Sequence, residues 1–188
     1  MDFIFKTEKI MKKIVQATAL AASMLTAGAV IAATDGAVGG ISTGTLNITV
    51  TVNDEVRISG LSDISGVFDG VNDIQGTSSA CVYRNGGGAT GAYNITATGD
   101  GAGGAFTIVD GANPPVAYTV EWDDRSGGGF TSVATGVALT TQSTTETTTD
   151  DCGGGDTADV RVTVPAANLL ASPAGSLVGV LTLEVAPE

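Results

Sequence analysis

"TLNITVTVNDEVRIS", residues 45–59, holds two apolar ribbons separated by Asn53-Asp54-Glu55. Strand side chains alternate with a period of two. An extended 45–52 therefore shows Leu46, Ile48, Val50 and Val52 on one side and Thr45, Asn47, Thr49 and Thr51 on the other. The same alternation recurs at 55–61, 80–84, 92–98, 105–109, 116–123, 130–140, 158–164 and 177–185, between clusters of Gly, Asn and Asp. No long segment repeats apolar residues at helical spacing, so the fold predicted is all-β, an antiparallel sandwich. The Gly-rich stretches 86–88, 99–104, 127–129 and 153–155 read as loop tips, with 99–104 a hairpin connection, and 166–170 as at most one helical turn.

The opening of the chain has a different character. Met11-Lys12-Lys13 is a short basic region, Ile14 to Ile31 is a run of small and apolar residues, and Val30-Ile31-Ala32-Ala33 offers a small-residue cleavage site. These are the three parts of a secretory signal. The expected organisation is a signal peptide over 1–33, a leading segment over 34–53 and a single domain over 54–188, with 1–10 read as an upstream start extension. Removing 1–33 takes away all four lysines and leaves four arginines against eighteen acids, a net charge of −14. Such a surface repels phosphate backbones, which argues against nucleic-acid binding. It also argues against simple electrostatic attachment to anionic membranes.

Cys81 and Cys152 are the only cysteines. In an exported chain a single pair most simply forms one disulfide. Closing a loop of that length stabilises by about 4 kcal/mol in the chain-entropy model. The rival reading, metal or redox thiols, lacks a Cys-x-x-Cys spacing and any histidine. The absence of histidine also removes the commonest general base and most zinc sites.

What remains for catalysis is carboxylates. Glu121, Asp123 and Asp124 flank Trp122, a mix that a sugar-cleaving pair would use. The plainer reading is solvated acids beside a turn, with Trp122 as packing, and no enzyme activity is expected. The acid-rich loop 150–159 raises calcium, since hard cations need several oxygens on a flexible turn. It lacks EF-hand spacing, so neither metal nor cofactor is expected. Asn47-Ile48-Thr49 and Asn94-Ile95-Thr96 match a glycosylation triplet, and both read as strand alternation. Thr140 to Thr149, TTQSTTETTT, reads as a polar edge strand or a loop.

Several pieces in order carry a resemblance: Cys81-Val82-Tyr83-Arg84-Asn85-Gly86, Ala92 to Gly99 (AYNITATG), Val116 to Trp122 (VAYTVEW), and Pro173-Ala174-Gly175 leading into Leu181 to Pro187 (LTLEVAP). From Cys81 onward the chain resembles the spore coat U-like pilin domain of bacterial archaic chaperone-usher pili, and Leu46 to Val52 resembles the start of mature pilins from related fimbriae. The resemblance implies an immunoglobulin-like β-sandwich that lacks one strand and is completed by the leading segment of a neighbouring subunit. On that reading Leu46, Ile48, Val50 and Val52 form the donor strand, and Leu181, Leu183 and Val185 border the acceptor groove. The implied partners are further pilin subunits head to tail, a periplasmic chaperone and an outer-membrane usher. The implied location is the periplasm in transit and then the cell surface.

Residue pattern alone leaves a rival open. Asn53-Asp54-Glu55 also suits a hairpin loop, so 45–52 could fold back on 56–61 within one molecule. The same four side chains are buried either way, so hydrophobic energy does not choose between them. A stand-alone secreted binding module or adhesin for sugar or calcium is the alternative function. It would be complete without residues 34–53.

Overall fold

A computed structural model describes residues 33–85, 92–111 and 113–188 of the 188-residue chain. The expected signal segment, apart from Ala33, and the Gly-rich stretch 86–88 lie outside the described residues. The chain divides into two units, one ending at Thr51 and the other spanning Val52–Glu188.

In the first unit, Thr34 and Thr45 form an antiparallel bridge through reciprocal main-chain hydrogen bonds of 2.9 and 3.0 Å. Residues 46–51 carry the strand alternation of the sequence but no strand pairing. Alternation specifies a face; a strand also requires partners for its main-chain groups. Of the run 45–52, Thr45 forms the bridge to Thr34, and residues 46–51 lie outside the strands of the two sheets.

The second unit is an all-β antiparallel sandwich. One sheet has the order β1-β2-β9-β6-β7 and the other β10-β3-β8. These strands are β1 (Val56–Ser59), β2 (Ile74–Arg84), β3 (Tyr93–Gly99), β6 (Thr119–Asp123), β7 (Thr131–Val133), β8 (Leu139–Gln142), β9 (Ala158–Val164) and β10 (Leu181–Pro187). A small ladder joins β4 (Thr107–Ile108) to β5 (Val116–Ala117), and α1 (Ala166–Leu170) is the single turn expected. Inward residues of the two sheets make the core, with Val82, Tyr93, Ile95, Val120, Trp122 and Val160 all buried. Trp122 meets Tyr93 edge to face at 6.5 Å between ring centroids, and its Nε1 donates to the Tyr93 hydroxyl at 3.2 Å. The disulfide Cys81–Cys152 is present, with Cα atoms 5.9 Å apart. It ties β2 to the loop that precedes β9.

Three sequence expectations change. β2 starts at Ile74, not at residue 80, because its first half is broken by Gly76 and Ser78. Gly76 is there for a steric reason: a Cβ would overlap the side chain of Ile64 in the segment that runs alongside the strand. The fit is reciprocal, since a Cβ on Gly66 would come within 2.6 Å of Ile74 Cγ2. The run 130–140 splits into β7 and β8, which belong to different sheets, and Gly136 at φ +66° makes the bend between them. The stretch 99–104 is a corner and not a hairpin, since β3 and β4 are not partners.

The loop leading into β2 is held by Asp69. Its carboxylate accepts from the main-chain N–H groups of Val71 and Asn72 at 2.9 and 2.8 Å and from Asn72 Nδ2 at 2.7 Å. These bonds, led by the Asn72 main chain, hold its pKa down to about 2. A carboxylate depressed in the folded state contributes above its unfolded value and loses that contribution as pH falls through the folded value. Acidifying from pH 4 toward pH 2 is therefore expected to release the Val71 and Asn72 amides. Their NMR shifts should titrate with Asp69, and Asp69→Asn should remove that titration.

The two sides of the sandwich close differently. On one side β7 and β8 are the outer strands, and the segment 134–138 straps them together. There Gly136 N–H donates to the Ala97 carbonyl at 2.8 Å, and Thr135 bridges Ala97. On the other side β1 and β10 are the outer strands and lie near one another. Among the described residues no ladder or bridge joins them.

Candidate functional site

The seam between β1 and β10 is the candidate site. Among the described residues β1 pairs only with β2, from Val56↔Arg84 to Ser59↔Cys81, and β10 only with β3, from Leu181↔Gly99 to Pro187↔Tyr93. Each strand has one edge with no ladder partner, and such an edge presents a row of N–H and C=O groups. The apolar side chains along the seam are Val56 and Ile58 from β1 and Leu181, Leu183 and Val185 from β10. All five pack on the core yet stay half-buried, whereas Val82 and Ile95 on interior strands are 0% exposed. Apolar side chains and unpaired main chain thus occur together along one side of the sandwich. That combination accepts an added strand.

One end of the seam is organised by Arg84. Ala80, Val82 and Arg84 share the inward face of β2, so the last inward position holds a charge that is only 8% exposed. A buried charge is tolerated only when paired and hydrogen-bonded. The Arg84 Nε donates to Asp54 Oδ1 at 3.0 Å and Nη2 to Asp54 Oδ2 at 2.5 Å. Nη1 donates to the Ala92 carbonyl, and Nη2 also reaches the main-chain oxygen of Glu188 at 3.0 Å. Hydrogen bonding to Arg84 holds the Asp54 carboxyl below its usual range and raises the guanidinium in turn. Beside it, Asn85 accepts from Glu55 N–H at 2.7 Å and donates to the Asn53 carbonyl at 2.8 Å. Asn53-Asp54-Glu55, a candidate hairpin loop in the sequence, is thus anchored on the end of β2. Sequence reasoning did not single out Arg84 or Asn85. The available signal was an arginine in phase with Ala80 and Val82.

The residues expected to form a donor strand are exposed: Leu46 by 69%, Ile48 by 81%, Val50 by 77% and Val52 by 76%. Leu181, Leu183 and Val185, expected at the groove edge, lie on β10 and are half-buried against the core.

The carboxylates near Trp122 are engaged separately. Glu121 is paired with Arg161 Nε at 2.7 Å, which lowers its pKa. Asp123 accepts from Arg125 N–H at 2.8 Å. Burial pushes Asp124 up, but bonds from Ser126 and Ser143 outweigh it and leave the carboxyl lowered. In the loop 150–159, Asp150 pairs with Arg57, Asp151 caps Gly153 N–H, and Arg125 binds Asp156 and Asp159. Among the described residues no group of three or more His, Cys, Asp or Glu side chains is gathered as metal ligands. Nor is any described helix long and apolar enough to cross a membrane.

No protein-family model matches the chain, and no curated protein matches its sequence. Among solved structures, a chain from "Chaperone-tip adhesin complex is vital for synergistic activation of CFA/I fimbriae biogenesis" matches with a TM-score of 0.50 and 14% identity, over 71% of this chain and 41% of that chain. The present chain thus spans about two fifths of its neighbour's length. The likeness establishes a fold shared with a protein from a fimbrial complex.

Proposed function

We propose that the chain is a structural, non-catalytic subunit of a bacterial surface filament built by strand donation. The ribbon Leu46, Ile48, Val50 and Val52 of one copy fills the seam between β1 and β10 of the next. The single observation that carries this reading is the seam itself: two free edges beside half-buried apolar side chains, on a sandwich strapped shut on its other side. The exposed ribbon has the matching period of two. Four aliphatic side chains buried there contribute about 6 to 12 kcal/mol, at roughly 1.5 to 3 kcal/mol each, before ordering costs. β1 and β10 lie near one another here, so an inserted strand would pair with both free edges once the two strands part to admit it.

Donor and acceptor are different surfaces, so the contact is head-to-tail and propagates into an open filament. Until a neighbour arrives, an empty seam is prone to aggregation. A periplasmic chaperone lending a strand, and an outer-membrane usher ordering the exchange, meet that need in the chaperone-usher pilins that the chain resembles in sequence. The fold shared with a fimbrial complex supports a pilus-related role at a coarser level.

An unheated denaturing gel of cell-surface material tests the reading. A ladder of multimers that collapses to monomer on boiling is expected. A soluble monomer that melts cooperatively and is unaffected by trimming residues 34–53 would overturn it and leave the secreted binding module in its place.

A further inference from the structure

We infer that Arg84 is the positioning residue of the seam, tying the start of β1 to the end of β10 at one end of the edge that an incoming strand meets. The inference rests on strand donation as the function of the seam. β1 runs away from Arg84, beginning at Val56 opposite it, and β10 runs toward it, ending at Pro187. One guanidinium therefore reaches the start of one rim through Asp54 and the end of the other through Glu188. It also spans the two sheets, because Ala92 precedes β3 in the opposite layer. Glu188 N–H donates to that same Ala92 carbonyl at 3.1 Å, so the end of β10 and the guanidinium share an acceptor. A carbonyl has two lone pairs and accommodates both donors.

The other end of the seam has a lighter tie. There the approach to β10 is fixed to the corner after β3 through Asp100 N–H donating to the Val180 carbonyl at 3.1 Å. Ser59, the last residue of β1, has a buried hydroxyl with no hydrogen-bond partner. The seam is thus pinned at the Arg84 end and less constrained at the Ser59–Leu181 end. One planar fork ties both rims at that end, whereas a lysine, with a single point charge, could not span Asp54, Ala92 and Glu188 together.

The test uses the full chain carrying Ile48→Asp and Val50→Asp, so that copies do not fill one another's seams. A fluorescent synthetic peptide spanning residues 44–53 is the probe. Arg84→Met, Arg84→Lys and Asp54→Asn are added singly, and Val160→Ala serves as a core-destabilised control. Each variant is checked for fold by near-ultraviolet circular dichroism. The parent should bind the peptide, and Arg84→Met should speed its release at least about tenfold, the scale of losing charge-assisted bonds. Amide exchange should rise at Val56–Ile58 and Val185–Glu188 together in Arg84→Met, but only at Val56–Ile58 in Asp54→Asn. Arg84→Lys should fall between the parent and Arg84→Met, and Val160→Ala should leave the release rate unchanged. If Arg84→Met does not fold, Arg84→Lys and Asp54→Asn decide alone. Release rates in the Arg84 variants equal to the parent's, or matched by Val160→Ala, would overturn the positioning role while leaving strand donation intact. A parent that does not bind the peptide would overturn donation and the inference together.

Discussion

Replacing Ile48 and Val50 together by aspartate is expected to abolish filament growth while leaving the sandwich folded. Both residues lie in the exposed ribbon and neither belongs to the core cluster. The substitution removes about 3 to 6 kcal/mol of aliphatic burial at the junction. It also asks two carboxylates to enter an apolar seam, where an unpaired charge costs several kcal/mol more. Even about 6 kcal/mol in total weakens the junction by roughly four orders of magnitude. Size-exclusion chromatography and unheated gels should show monomer, or chaperone-bound subunit, in place of the ladder. The body should still unfold cooperatively, at a lower temperature than in the filament, because the donated strand no longer stabilises it. Filament yield equal to that of the parent would remove the ribbon from the junction.

The second large effect lies in the core. Trp122→Ala is expected to destabilise the domain by about 3 to 5 kcal/mol, a large part of the 5 to 15 kcal/mol typical of a whole domain (about). Trp122 is 1% exposed and packs edge to face on Tyr93, so truncation leaves a cavity between the sheets. It also removes the indole N–H donor from the buried Tyr93 hydroxyl. Burial already pushes Tyr93 ionisation far above its ordinary value, as expected for a phenol with little access to water. Trp122→Phe separates the two contributions, because it keeps most of the ring packing and loses the bond. Urea denaturation should show a lower midpoint at an unchanged slope. In a double-mutant cycle with Tyr93→Phe, coupling should be present. An effect under about 1 kcal/mol for Trp122→Ala would mean that the site collapses around the missing ring.

Much of the sandwich was legible from alternation alone. β3, β9 and β10 fall close to the runs read at 92–98, 158–164 and 177–185. In each, an apolar face turned to the core, buried in β3, mostly buried in β9 and half-buried in β10, alternates with a largely polar one, which is what a period of two reports. The first half of β2 was not legible, because Gly76 leaves room for Ile64, in the segment just before the strand, and so breaks the apolar alternation. The split of 130–140 was hidden for a related reason: β7 and β8 each keep the alternation, and only the sheet assignment changes at Gly136. The run 116–123 likewise changes partners at Tyr118, from β4 to β9 and β7.

For the site, Leu181, Leu183 and Val185 were legible as an apolar face but not as a rim. Their pattern is the one a fully covered strand would show. Whether a strand sits at an edge is a property of topology, not of its own residues. The role expected for them came from the resemblance read in the sequence, not from their own pattern. Arg84 was overlooked because charge is read as solvent-facing by default, and its three partners are separated from it by 30, 8 and 104 positions.

The interlocked glycines constrain how this sequence can drift over generations. Ile64 occupies the space above Gly76, and Ile74 the space above Gly66, as two knobs set into two notches. A lineage acquiring a side chain at 76 must first, or at once, shorten residue 64, and the same holds for 66 and 74. The order of change is therefore one-way: residues 64 and 74 can shorten while the glycines stay, but the glycines cannot gain a side chain before them.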